Sequence, residues 1–181
     1  MSRTSRHLPF AAAAGFDDPL EVLLGCHRRI EKQLSVLRRL SAEVAKHGVT
    51  PEASTTALAL LSYFDRAAVH HHEDEEHDLF PLLESRITDP GEHARFEAFR
   101  ETLRADHRAL DAAWARLRRP LEAICDGRAR PIAAVDVEEF AGAYAKHILS
   151  EEHALADFFN RWLDDHDRGA LGRAMAARRR R

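Results

Sequence analysis

Three dipeptides, each a helix-capping residue followed by proline, divide this chain into long segments with helical periodicity. They are Asp18-Pro19, Thr50-Pro51 and Asp89-Pro90. The side chain of Asp or Thr accepts a hydrogen bond from the free N–H groups at a helix start, and proline fits the first helical position because no N–H is needed there. The dipeptides therefore predict three helix starts.

A fourth helix is predicted to start at Asp136, which Glu139 follows at the spacing of a capping box. The helices are expected at residues 18–46, 51–86, 90–125 and 136–165, with a short extra C-terminal helix at 167–177. The first two connections are only a few residues long, so consecutive helices should be antiparallel neighbours. The predicted fold class is all-α, an up-down-up-down four-helix bundle.

The length of 181 residues fits one domain. We expect a flexible N-terminal arm over residues 1–16, the bundle over 17–166, and a short helix with a basic tail over 167–181. The four arginines at 178–181 are interpreted as a solvated tail, with contact to an anion or a membrane surface as the alternative.

Polar side chains interrupt the apolar faces of the second and fourth predicted helices. Residues four apart lie on one helix face, which places His71 and Glu75 inward on the second helix and His147 and Glu151 inward on the fourth. The surrounding pattern, His-x-x-x-Glu-Glu-His, occurs in both helices. An ionised Glu in an apolar face is costly to bury without a partner, and a metal ion is one such partner.

The same helical rotation predicts which way the neighbours of these residues face. Glu73, Asp74 and His77 should point outward to solvent, whereas His72 flanks the centre of the inward face. Four further histidines are interpreted as surface residues, namely His70, His93, His153 and His166.

The first helix adds His27, inside its apolar stripe. The third adds His107, on the edge of its stripe, with Asp106 near the same face. Four His and two Glu from four helices are enough ligands for two metal ions that share carboxylate bridges. Imidazole and carboxylate together suit iron, and zinc, the competitor, usually takes four tight tetrahedral ligands.

Charge and cysteine content exclude other classes. The net charge is −3 with His neutral, so nucleic acid is not an expected partner. Cys26 and Cys125 form neither a disulfide framework nor a zinc motif, and a bond between them is improbable on distance. No stretch is apolar enough to span a membrane. The expected location is a reducing compartment, the cytoplasm.

Taken in order, four segments of the chain resemble the hemerythrin-like (HHE cation-binding) family of four-helix bundles. They are DPLEVLLGCHRRI, HHEDEEHDLFPLL, LRADHRAL and HILSEEHAL. The resemblance implies a non-haem diiron site, with two iron ions joined by an oxo or hydroxo bridge. The ligands it implies are His27, His71, Glu75, His107, His147 and Glu151, with the two Glu carboxylates bridging the irons.

One position departs from the family pattern. Hemerythrins proper carry a second His four residues after the one in the third helix, and here that residue is Asp111. The corresponding ligand could be Asp111, His72, Asp106 or water. A more open and more carboxylate-rich site weakens the case for simple oxygen storage.

The sequence favours a binding protein that takes up O2 or NO, or senses iron or redox state, over an enzyme. The alternative is a diiron enzyme that reduces peroxide or NO or oxidises Fe(II), and a third hypothesis is a partner-binding bundle with a degenerate site. The expected small-molecule partner is therefore O2, NO or peroxide. The identity of any protein partner is unknown.

Overall fold

The computed structural model describes residues 16–128 and 131–180 of the chain. Its helices are α1 (Pro19–His47), α2 (residues 51–86), α3 (Pro90–Cys125), α4 (Ala134–Trp162) and α5 (Asp165–Arg178). The helices α1 and α3 each contact both α2 and α4, which closes a four-helix bundle. The predicted fold class, including the short fifth helix, is confirmed. No helix in the described ranges is both long enough and apolar enough to cross a membrane.

Three of the four predicted caps are confirmed. The side chains of Asp18, Thr50 and Asp89 each accept a hydrogen bond from the backbone N–H three residues later, at 3.2, 3.2 and 2.9 Å. The fourth prediction is wrong, because α4 begins after Ala133 and has no side-chain cap. Asp136 instead lies in the first turn of α4, where its negative charge interacts favourably with the positive end of the helix dipole.

The helix α2 is continuous, but its hydrogen-bond pattern is π-helical instead of α-helical in two segments. It is α-helical over Pro51–Ser62, Val69–Glu73 and Phe80–Arg86, and π-helical over Tyr63–Ala68 and Asp74–Leu79. Pro81, just after the second π segment, has no N–H to donate back into the preceding turn, which accounts for the break there. Single π turns within helices are frequent at functional sites, and here they lie on either side of His71 and His72.

The apolar core has two parts that lie on either side of a polar layer. One part includes Leu37, Leu60, Phe64, Leu117 and Phe140. The other includes Leu23, Phe80, Phe96, Phe158 and Met175. In each of the four bundle helices, the buried polar residue lies between the positions that contribute to these two parts. The fold therefore holds one polar layer between two apolar ones.

The fifth helix covers the second π segment of α2, and this overturns two expectations. Asp74, predicted to point to solvent, is fully buried. The Nε of Arg178 donates to Asp74 Oδ1 at 2.9 Å, and Nη2 of Arg179 lies 2.7 Å from Asp74 Oδ2. These two arginines are therefore bound to α2 and not part of a solvated tail, whereas Arg180 is exposed. The outward prediction for Asp74 assumed a regular helix and an uncovered face.

The proposed N-terminal arm lies outside the described residues except for Phe16. Phe16 is half-buried, and its carbonyl oxygen sits so close to Gly172 of α5 that a Cβ there would lie 1.9 Å away. The glycine thus allows the segment before α1 to pack directly on α5. Both cysteines are free: Cys26 is buried in α1 and Cys125 is at the end of α3.

Candidate metal centre

All six predicted ligand residues are buried in the polar layer. None has more than 3% of its surface exposed. Each lies on the inward stripe of its helix, as the spacing of the apolar residues predicts: His27 on α1, His71 and Glu75 on α2, His107 on α3, and His147 and Glu151 on α4. The packing of four amphipathic helices therefore brings residues from distant parts of the chain to one place.

The two oxygens of Glu75 face histidines on two helices. Oε1 lies 3.1 Å from Nε2 of His71, one turn earlier on α2. Oε2 lies 3.2 Å from Nε2 of His107 on α3. The carboxylate therefore spans the space between α2 and α3.

Glu151 occupies the corresponding position between α4 and α1. Its Oε2 lies 3.2 Å from Nε2 of His147, one turn earlier, and 3.2 Å from Nε2 of His27. The two halves of the site, α2 with α3 and α4 with α1, thus each place a carboxylate between histidines of two helices, although Glu151 meets both histidines through one oxygen. This repeat corresponds to the His-x-x-x-Glu-Glu-His pattern in the sequence.

These short approaches lack hydrogen-bond geometry and leave the facing atoms without partners. The Nε2 atoms of the four histidines and all four carboxylate oxygens of Glu75 and Glu151 are buried and make no hydrogen bond. Buried polar groups without partners are rare and destabilising. Nitrogen and oxygen donors in this mixture are the ligands of non-haem iron. The unpartnered atoms therefore fit a centre of metal ions.

The outer nitrogens of two histidines are bound by carboxylates that sequence reasoning missed. Nδ1 of His27 donates to Glu152 Oε1 at 2.9 Å, and Nδ1 of His107 donates to Glu76 Oε1 at 2.5 Å. A carboxylate on Nδ1 leaves Nε2 as the free lone pair, which orients the ring for a metal. The signal in the sequence was the second Glu of the two Glu-Glu-His motifs at residues 75–77 and 151–153: the first Glu points inward, and the second binds a histidine of the neighbouring helix.

The two carboxylates of this pocket have pKa values that are shifted in opposite directions. Burial and the charge of Glu151 hold the pKa of Glu75 well above its ordinary value. Burial acts in the same direction on Glu151, but the adjacent His147 and His27 outweigh it and hold the pKa of Glu151 well below the ordinary value. Burial also holds the pKa of His71 and His72 well below 6.5, which keeps both imidazoles in the neutral form that binds metals.

The residues left open by the sequence take different positions. His72 is buried beside the site, Asp111 is exposed, and Asp106 is partly buried with Oδ2 3.9 Å from Nδ1 of His147. Among the histidines predicted at the surface, His77, His153 and His166 are exposed, whereas His70 and His93 are half-buried.

Two further groups of acidic residues and histidine lie near the surface, but arginines already bind three of their four carboxylates, and the fourth, Asp164, caps α5. Glu84 and Glu97, next to His93, both accept from Arg100 at 2.7 Å. Asp167, near His166, accepts from Arg86 at 2.6 and 2.8 Å. These ion pairs leave the buried layer as the candidate metal centre.

The comparisons with known proteins agree with this assignment. A family model described as "Hemerythrin HHE cation binding domain" matches residues 18–159, which include all six candidate ligands. A curated protein of Haemophilus influenzae, named only "Uncharacterized protein", is 30% identical over 166 residues, 92% of each chain. That relative shares the whole domain and carries no stated activity.

Proposed function

This chain belongs to the hemerythrin HHE cation-binding domain family, and we propose that it is a non-haem diiron protein that binds O2 or NO, or senses iron or redox state. The observation that carries the proposal is the convergence of four imidazole nitrogens and four carboxylate oxygens, all buried and without hydrogen-bond partners. A purely structural core has no reason to retain so many unpaired polar atoms.

The ligand set favours two ions over one. Four histidines and two carboxylates exceed the four ligands that a tetrahedral zinc site takes. Carboxylates and histidines that project from facing helices are a common way to build diiron sites in helical bundles. Glu75 and Glu151, each between histidines of two helices, are suited to bridging two ions. The terminal ligands, each binding one ion, would be His27, His71, His107 and His147.

The remaining residues of the site orient these ligands and restrict access. Glu76 and Glu152 hold the outer nitrogens of His107 and His27, and so fix which nitrogen faces the site. The apolar layers on both sides limit entry of water, which favours small neutral molecules over charged ones. When bound, the iron pair supplies the redox-active centre for a diatomic ligand.

Binding is favoured over turnover because, apart from His72, the other buried polar side chains in the described ranges are already engaged. Ser41 donates to the carbonyl of Ile132 at 3.2 Å, Asp74 is bound by Arg178, and Asp167 by Arg86. None of these is free to carry protons to a bound substrate, as general acid–base catalysis requires. An enzyme that reduces peroxide or NO, or oxidises Fe(II), is the alternative.

Visible absorbance of the iron-loaded protein separates these functions. We expect a change on addition of O2 or NO that reverses when the gas is removed. Sustained loss of H2O2 or NO that Glu75→Ala abolishes would instead favour the enzyme. Iron-loaded protein that responds to neither gas and turns over no peroxide would contradict both functions.

A further inference from the structure

A fifth histidine, His72, lies buried beside the six proposed ligands. Its side chain is 9% exposed, and its Nε2 has no hydrogen-bond partner. It follows His71 directly in the short α-helical stretch between the two π segments of α2. An imidazole nitrogen that is buried and unpaired costs free energy unless some other group satisfies it.

The rings around His72 show which part of the site it faces. His72 stacks on His107, with centroids 4.0 Å apart and planes 15° from parallel. His147 stands edge-on to both, with centroids 5.9 Å from His72 and 4.9 Å from His107. Three imidazoles from α2, α3 and α4 therefore form one cluster.

Ligand atoms of the buried layer fall into two groups, within each of which all atoms lie within 4.8 Å of one another. One group is His27, His71, Glu75 and Glu151, and the other is His72, His107 and His147. The second group is incomplete without His72, because only two histidines would remain. Glu75 and Glu151 touch His107 and His147 respectively, which links the two groups.

We propose that His72 is a direct ligand of the metal ion held by His107 and His147, so that the site contains five histidines and two glutamates. This assignment rests on the proposed function, since it requires that the site bind metal. It gives to α2 the ligand that hemerythrins proper take from the third helix.

The two other residues considered for this place are less suited to it. Asp111 is an exposed residue, and its carboxylate does not belong to the group of ligand atoms formed by His72, His107 and His147. Asp106 approaches Nδ1 of His147, the nitrogen opposite to the one that faces Glu151. Asp106 therefore lies behind the His147 ring, on the side away from Glu151.

His72 is also reached from a pocket of about 300 Å³ on the α2–α3 side of the bundle. Phe64, Leu110, Trp114 and Tyr144 contribute to its lining, together with His72. A small molecule that enters here meets His72 before the other proposed ligands. The pocket is large enough for free imidazole, which provides a direct test.

The test loads wild-type protein and His72→Ala with Fe(II) under anaerobic conditions, and measures retained iron against a competing chelator. We expect about two irons in the wild type, and in the variant an affinity for one of them that is at least about tenfold weaker. Added imidazole should restore that iron in His72→Ala, because it can occupy the space left by the side chain. A merely structural role for His72 would not give imidazole rescue.

Matched variants make the result specific. His70→Ala removes a half-buried histidine two residues away, and Asp111→Ala and Asp106→Ala remove the competing carboxylates; none of the three should show imidazole rescue. Equal iron affinity in His72→Ala and wild type would overturn the assignment of His72 and leave the diiron proposal intact. Loss of one iron in Asp111→Ala alone would give the place to Asp111. A wild-type protein that retains no iron would overturn the proposed function itself.

Discussion

Glu152 accepts a hydrogen bond from Nδ1 of His27 at 2.9 Å, across the interface between α4 and α1. The contact determines which nitrogen of the imidazole faces the bundle interior. Glu76 does the same for His107, from α2 to α3. The doublets Glu75-Glu76 and Glu151-Glu152 therefore each supply one inward carboxylate and one carboxylate that orients a ligand on the adjacent helix.

This relationship predicts that Glu152→Ala and Glu76→Ala each weaken iron binding without removing a ligand. We expect a loss of about 10- to 100-fold in affinity, the usual effect of removing a group that orients a metal-binding histidine. Glutamine at either position keeps an acceptor for Nδ1 and should lose less. Chelator competition measures the effect, with Glu139→Ala, on the exposed face of α4, as the control. Equal affinities for all variants would contradict this role.

The buried carboxylates predict opposite effects of Glu75→Gln with and without metal. Glutamine resembles the protonated acid and removes the cost of a second carboxylate beside Glu151, so the metal-free variant should be more stable than wild type by roughly 1 kcal/mol at neutral pH. With iron present, the order should reverse, because the wild type gains about 2.7 kcal/mol for a site at 100 times its Kd. Thermal unfolding with and without a chelator measures both. The same order under both conditions would contradict a metal-bridging role.

The pH dependence of this difference has a defined sign. The pKa of Glu75 in the fold is raised, chiefly by burial, above its value in the unfolded chain. The contribution of Glu75 to stability is therefore complete below the unfolded value and is lost as pH rises through the folded value. The advantage of metal-free Glu75→Gln over wild type should grow as pH rises and shrink toward acid. Urea unfolding at several pH values measures this stability difference. An advantage of Glu75→Gln that grows toward acid would contradict a raised pKa of Glu75 in the fold.

The ion pairs of α5 predict a stability effect at Asp74. Removing both Arg178 and Arg179 leaves a fully buried carboxylate without a partner, which should lower the free energy of unfolding by about 3 kcal/mol or more. Adding Asp74→Asn should recover part of the loss, since the uncompensated charge is then gone. Arg180→Ala, which removes an exposed arginine, is the control. Denaturant unfolding that ranks all these variants equally would show that the contacts of α5 do not contribute.

Two glycines should respond to alanine in opposite directions. A Cβ at Gly172 would lie 1.9 Å from the Phe16 carbonyl oxygen, whereas one at Gly142 meets nothing within 4 Å. Gly172→Ala should therefore destabilise by about 1–3 kcal/mol. Gly142→Ala, within α4, should stabilise by up to about 1 kcal/mol because alanine favours helix. Thermal unfolding compares the two, and a Gly172→Ala variant as stable as Gly142→Ala would contradict the packing described for Phe16.

The sequence was sufficient to predict the fold and the burial of the six candidate ligand residues because both depend on local signals. The caps at Asp18, Thr50 and Asp89 define helix starts, and regular rotation along each helix predicts that Glu75 and Glu151 face the core. Both signals act within a few residues, so neither requires knowledge of the tertiary structure.

The errors arise where helix geometry or a neighbouring element changes the environment. Asp74 is buried because α2 contains a π segment there and α5 covers it, and neither feature is apparent from periodicity. Glu76 and Glu152 lie beside the inward face and reach histidines of other helices, so single-helix arithmetic does not identify their partners. His72 is intermediate: rotation placed it beside the inward face, and only the stacked ring of His107 shows what it contacts.

The most direct test of the account is the iron content of the protein after anaerobic reconstitution with Fe(II) and removal of excess metal. We predict about two irons per chain in the wild type, a strong loss of iron in the Glu75→Ala/Glu151→Ala double variant, and wild-type content in Glu139→Ala. Wild-type protein that retains no more iron than the double variant would contradict the central claim that these two carboxylates and the surrounding histidines form a diiron site.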